Sequence, residues 1–191
     1  MNTKLNHLNK NESGITALET AIILIAFVVV AAIFAFTVLS TGTFLTEKSK
    51  EASYAGLQEV RGSLALRGSM VLQNTGGNIV FTLSPVAGGS AVDVSQISIT
   101  YRDKATTYDV PFKTTLPTAG TPGFIVTNPA GVALPNNILD QGGLGMFNVQ
   151  PGTALTTAYW TFDMEIKPPT GGVLLLERTS PAKIDVVTDL K

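Results

Sequence analysis

Between Ala21 and Leu39 the chain reads AIILIAFVVVAAIFAFTVL, and Thr37 is the only polar residue in that run. No charged side chain occurs between Glu19 and Glu47. A helix over this stretch rises about 1.5 Å per residue and reaches roughly 28 Å, close to the roughly 30 Å hydrocarbon thickness of a bilayer. It has no polar stripe to turn toward water, so it needs apolar cover on every side. Lipid supplies such cover, and so does a ring of identical helices.

The rest of the composition narrows the chemistry. A chain of 191 residues holds one ordinary domain and an appendage. The formal net charge is −1, which argues against a nucleic-acid partner or a polybasic membrane surface. There is no cysteine, and the single histidine is His7, ahead of the apolar run. Ser–His and Cys–His nucleophile systems and the commonest metal ligands are therefore absent from the remainder. No P-loop sequence occurs either, so any motor is another protein. The carboxylates Asp163 and Glu165 share the polar face of a strand pattern, where solvation is the default. Asp103 and Asp109 form only a weak hard-cation pattern. No enzyme, cofactor or metal is expected.

Residues 1–14, MNTKLNHLNKNESG, are polar and lack the apolar centre of a secretory signal. The apolar run begins after Gly14, so a cut behind the run would remove the anchor and a cut at Gly14 would keep it. Lys4 and Lys10 favour a cytoplasmic N-terminus, a bias that Lys48 and Lys50 weaken. The size of the C-terminal part and its lack of a second apolar span place that part outside.

From residue 43 onward charges enter, and Phe44, Tyr54, Leu57, Val60, Leu64 and Leu66 recur at roughly helical spacing. The first proline is Pro85. One helix is therefore expected over residues 15–65, apolar first and amphipathic later, about 75 Å long. After Gly68 the period becomes two. Ile79, Phe81 and Leu83 alternate with Val80 and Thr82; Ile97, Ile99 and Tyr101 with Ser98 and Thr100; Trp160, Phe162, Met164 and Ile166 with Thr161, Asp163 and Glu165. Weaker strand patterns fall at 106–112, 123–127, 145–150, 172–178 and 184–187. Residues 114–144, rich in Thr, Pro, Gly and Asn, read as connecting loops or as an outward-facing surface. The fold class is α+β: a long N-terminal helix over 15–68, then an immunoglobulin-like β-sandwich head over 69–191.

The run Gly14-Ile15-Thr16-Ala17-Leu18-Glu19, followed by the apolar stretch, resembles the class III signal of type IV pilins and archaeal flagellins (archaellins). The tail Val173-Leu174-Leu175-Leu176-Glu177-Arg178-Thr179, with Pro181 and Ile184-Asp185, is similar to archaellin C-termini. The missing proline inside the apolar run and the missing C-terminal cysteine pair favour archaellin over pilin. The resemblance implies that a prepilin-type peptidase cuts between Gly14 and Ile15, removing residues 1–14. Glu12 and Ser13 stand where archaellin leaders usually carry Lys or Arg. A short cytoplasmic tail on a single-pass anchor is the other reading of this segment.

With that cut Glu19 becomes the fifth residue of the new chain, one turn from a cationic amino group, and is assigned to charge neutralisation during assembly. A solvated acid at a helix start is the alternative. The side chains assigned to a filament core are Ile22, Ile23, Leu24, Ile25, Phe27, Val28, Val29, Val30, Ile33, Phe34, Phe36 and Leu39. The implied function is the structural subunit of the extracellular archaeal flagellum, a helical homo-oligomer that accommodates paralogous flagellins. Such a subunit is stored in the cytoplasmic membrane before a separate ATPase and membrane platform assemble it. The alternatives are an adhesion pilin and a monomeric surface-binding module. The only Asn-x-Ser/Thr sequon, Asn11-Glu12-Ser13, lies in the segment expected to be removed.

Overall fold

The computed structural model describes residues 3–73, 77–152 and 158–190, with side chains from residue 14 onward. The side chains of Lys4, Lys10 and the sequon lie outside that range. The chain divides into two compact units, Met1–Ser53 and Tyr54–Lys191.

The first unit is helix. α1 runs from Thr3 to Arg61 without interruption and ends inside the second unit. It stops four residues before the sequence pattern suggests. Leu64 and Leu66, which fit the helical spacing, belong instead to strand β1, Leu64–Gln73. Their separation satisfies a strand period as well as a helical one, and a strand partner decides the matter: Leu64 pairs with Pro85 and Leu66 with Leu83.

The second unit is a two-layer antiparallel sandwich. β2 spans Asn78–Pro85, β3 Val92–Asp93, β4 Ser98–Asp103, β5 Thr107–Val110 and β6 Gly123–Thr127. β7 spans Ile138–Leu139, β8 Gly145–Gln150, β9 Thr161–Lys167, β10 Leu174–Thr179 and β11 Val187–Leu190. One sheet has five strands in the order β11-β1-β2-β8-β6, the other four in the order β10-β9-β4-β5, and β3 pairs with β7. The inward positions of both sheets form one buried cluster that includes Met70, Leu72, Ile79, Phe81, Phe147, Ile99, Tyr101, Phe162, Met164 and Ile166. Aromatic stacking fixes its geometry: Phe147 stacks on Phe81 with centroids 5.6 Å apart and on Phe124 at 6.0 Å, and Tyr101 stacks on Phe162 at 5.4 Å. Each such side chain removed from water contributes roughly 1.5–3 kcal/mol.

Two strands sit where the sequence offers no pattern. β3 and β7 are two residues each, too short to show a period, and β7 lies in the segment read as loops. The last strand is displaced from 184–187 to Val187–Leu190. The hydroxyl of Thr188, a residue of that strand, accepts the Asp185 N–H at 2.9 Å and donates to the Asp185 carbonyl at 3.2 Å, and this local closure ties residue 185 back on the strand start, while the ladder begins at Val187.

The end of α1 is held by two loops of the head, the β2–β3 connection and the β9–β10 hairpin. The Ser90 N–H donates to the Arg61 carbonyl at 2.8 Å and the Val86 N–H to the Ser63 carbonyl at 3.1 Å. The Ser63 hydroxyl donates to the Glu59 carbonyl at 2.9 Å and accepts the Gly172 N–H at 3.0 Å. These bonds satisfy carbonyls that a helix C-terminus otherwise leaves open. The approach is close enough to require glycine. A Cβ on Gly62 would lie 1.9 Å from the Thr170 carbonyl oxygen, and one on Gly171, at φ +123°, would lie 2.4 Å from the Gly62 carbonyl carbon.

Gly62→Ala is therefore expected to force the loop and the helix end apart and to cost the head roughly 3 kcal/mol. Chemical denaturation of the detergent-held chain, followed through the single tryptophan, Trp160, measures this. The same probe reads an alkaline effect. Tyr101 is fully buried, and burial pushes its phenol up to about 12, against a smaller opposing pull from the Trp160 indole N–H that donates to it at 3.2 Å. The unfolded phenol ionises near 10 while the folded one stays neutral. The head accordingly keeps its full stability below about pH 10 and loses roughly 2–3 kcal/mol as pH rises toward 12. Tyr101→Phe should abolish that component of the loss.

Candidate assembly surface

Within the first unit every described side chain from Gly14 to Ser53 is exposed. The apolar ones go all round the helix: Phe27 is 73% exposed, Phe36 72%, Ile23 68% and even the least open of the run, Val29, 50%. All of the side chains assigned to a filament core, Ile22 to Leu39, lie on this one helix. The fold brings none of them into its own buried core.

The polar residues of the segment do not interrupt that surface. The Thr37 hydroxyl donates to the Phe34 carbonyl at 2.8 Å, and that of Thr41 to the Thr37 carbonyl at 2.8 Å. Thr20, Thr43 and Thr46 donate to carbonyls three or four residues back in the same way. A hydroxyl bonded to its own helix has no need of water, which is how serine and threonine enter apolar helices at small cost. At the C-terminal end of the unit Lys48 pairs with Glu51 at 2.6 Å, both well exposed, an ion pair worth at most about 1 kcal/mol.

Gly14, Ile15 and Glu19 lie on the helix. A Cβ at Gly14 would meet nothing within 4 Å, so the local packing does not demand glycine there. Glu19 is exposed and stands roughly 6 Å along the axis from Ile15.

In the head, Asp103, Asp109 and Asp93 have local structural partners. The Asp103 carboxylate accepts the Ala105 and Thr106 N–H groups, each at 2.7 Å, and so closes the β4–β5 turn. Asp109 accepts the Thr100 hydroxyl at 3.2 Å across the ladder. Asp93 caps a short 3-10 turn, accepting the Ser95 hydroxyl at 2.6 Å and N–H at 2.9 Å, and these bonds hold its carboxyl below the usual carboxylate range. Among the described residues no three potential ligands gather as a metal site. The residues that sequence reasoning missed are Gly62, Ser63 and Gly171. The available signal was the Gly171-Gly172 pair after two prolines, which marks a turn built for close backbone approach.

A helix apolar on every side in one unit and an antiparallel β-sandwich in the other define a class of protein with one long apolar helix and a globular head. The archaeal-type flagellin family matches residues 14–178, and the chain belongs to that family. Among its relatives, a probable flagellin of Archaeoglobus fulgidus is 31% identical, over 92% of this chain and 94% of its own length. A probable flagellin of Aeropyrum pernix is 32% identical over 92% and 95%. The archaeal flagellum of Methanospirillum hungatei superimposes with TM-score 0.59 at 26% identity, covering 91% of this chain and 97% of that one. A flagellin from Methanocaldococcus jannaschii, at TM-score 0.53 and 14% identity, shares the fold over 66% of this chain.

Proposed function

We infer that the chain works by exchanging one apolar environment for another. It is a structural subunit of the extracellular archaeal flagellum filament, not an enzyme, and it forms homo-oligomers. The observation that carries the reading is the helix surface from Ile22 to Leu39, exposed on every side. Membership of the flagellin family and the likeness to a flagellar filament support it.

Before assembly the helix is solvated by lipid. A helix from Gly14 to Arg61 is long and apolar enough to cross a membrane. A prepilin-type peptidase then releases the chain at Gly14–Ile15; the family match, which begins at Gly14, supports that position. Transfer from lipid to a helical bundle gains little hydrophobic free energy, because acyl chains are already apolar. The gain comes from packing, and Ala21, Ala26, Ala31, Ala32 and Ala35 allow close approach. A separate ATPase and membrane platform therefore drive assembly, and paralogous flagellins with the same helix can enter the bundle. Once the filament stands in water, loss of a subunit would expose a dozen or so Ile, Val, Leu and Phe side chains at roughly 1.5–3 kcal/mol each, so the filament does not shed subunits.

Glu19 has a definite place in this scheme. After the cut the α-amino group of Ile15 lies one turn away, and a carboxylate there neutralises it in its own chain or in a neighbour when both leave the interface for the apolar bundle.

Two experiments test the reading. Deleting the gene in its host should abolish flagellar filaments and swimming, and mass spectrometry of filaments restored by the intact gene should find chains that start at Ile15. Filaments that persist after deletion, or a secreted head lacking residues 15–40, would overturn it. Glu19→Gln should lower filament yield at least tenfold in quantitative electron microscopy while leaving membrane-held subunit unchanged; normal yield would remove Glu19 from the mechanism.

A further inference from the structure

The charges of the head are unevenly placed. From Thr114 to Phe162 the only charged residue is Asp140. This stretch supplies β6 and β8, which with β2 make one side of the five-stranded sheet. The outward row there runs Val71, Val80, Asn148 and Ile125 across four strands; the next row holds Thr82, Met146 and Thr127 on β2, β8 and β6, with the exposed Arg67 of β1 bounding it opposite Thr82. Beside β6 the flanking loops present Leu116 and Val132, 50% and 60% exposed. The outward face of the other sheet is the opposite in kind. Its rows hold Arg102, Asp109, Asp163, Glu165, Lys167 and Glu177, with one exposed apolar side chain, Leu175, opposite Glu165. Outward positions near the centre of both sheets are half-buried alike, so the difference is one of charge and not of cover.

A solvent-facing surface gains solubility from charge, whereas the centre of a protein interface is depleted of it. The chain also says what is available to cover the neutral side. Helices that bundle hold their heads at high effective concentration, so a neighbouring copy needs only a modest neutral patch to stay in contact. We propose that the uncharged side of the head, the outer face of β2, β8 and β6 with the loops flanking β6, is the surface through which each head contacts the head of a neighbouring copy in the filament. The charged face of the four-stranded sheet faces the medium. In a helical polymer this contact is heterologous, with the neutral face of one copy against a different surface of the next. The proposal rests on the filament reading above and adds to it which side of the head is covered.

The absence of cysteine makes a direct test available. Single substitutions Ile125→Cys and Val132→Cys on the neutral side, and Lys167→Cys and Glu177→Cys on the charged face, are introduced into the full chain in its host. Each is labelled with a polyethylene-glycol maleimide, once in intact filaments and once in detergent-dissociated subunits. The expected result is labelling at least tenfold slower in filaments at 125 and 132, with rates within twofold at 167 and 177. Equal rates at 125 and 132 in the two states would overturn the proposal, as would protection already present in dissociated subunits or protection of the charged face instead. As a second reading, Val132→Lys should lower filament yield at least tenfold while Lys167→Glu leaves it unchanged; the reverse ranking also overturns the proposal. If the unsubstituted chain forms no filaments, the filament reading itself fails, whereas filaments with an open neutral face sink the head contact alone.

Discussion

A helix that is apolar around its whole circumference cannot be satisfied by the chain that carries it. A single domain covers one side of a helix, and the side chains from Ile22 to Leu39 face outward on all sides. The other features are answers to that constraint. In the function proposed above, lipid solvates the segment at first, copies of the same helix solvate it later, and the head keeps the finished polymer soluble. Because the two apolar solvents are nearly equal in free energy, the proposed function draws the direction of exchange from outside the subunit. The permanence of the product comes from water, which neither state meets.

The head is an ordinary sandwich core, and its attachment is the specialised part. The last turns of α1 end in a nest of backbone contacts from the 85–90 and 168–172 loops, with Ser63 bonded in both directions. Side-chain packing tolerates rearrangement by rotamer change, but the contact between Gly62 and Thr170 is backbone against backbone and leaves no such freedom. The helix terminus and the sandwich therefore fold as one piece, and the first strand can begin three residues after the helix ends.

Much of this was legible in the residues. The apolar run, the polar leader and the strict alternation of 79–83, 97–101 and 160–166 set the helix and three of the central strands, because burial on one face leaves an unambiguous period. The weaker patterns at 123–127 and 145–150 coincide with β6 and β8. The failures have local causes. Leu64 and Leu66 fit two periods, and only their long-range pairing with Leu83 and Pro85 chooses between them. β11 begins three residues later than the pattern at 184–187 suggests, and the bonds between the Thr188 hydroxyl and the Asp185 backbone depend on one side chain that no periodicity records. The apolar helix face could be read residue by residue, since exposure all round needs no tertiary information. The glycine contacts at the helix end could not, because they depend on a loop more than a hundred residues away in the chain.

The threonine hydroxyls that fold back onto the carbonyls of α1 have a further consequence. Each is already bonded within its own helix, so the segment carries its polar accounting with it wherever it goes. Drawing it out of the bilayer breaks no bond to water or headgroup along that stretch, and seating it among its copies requires none to be made. For these hydroxyls the journey is level in hydrogen bonding, so under the proposed function they add nothing to the work of moving the subunit from bilayer to bundle.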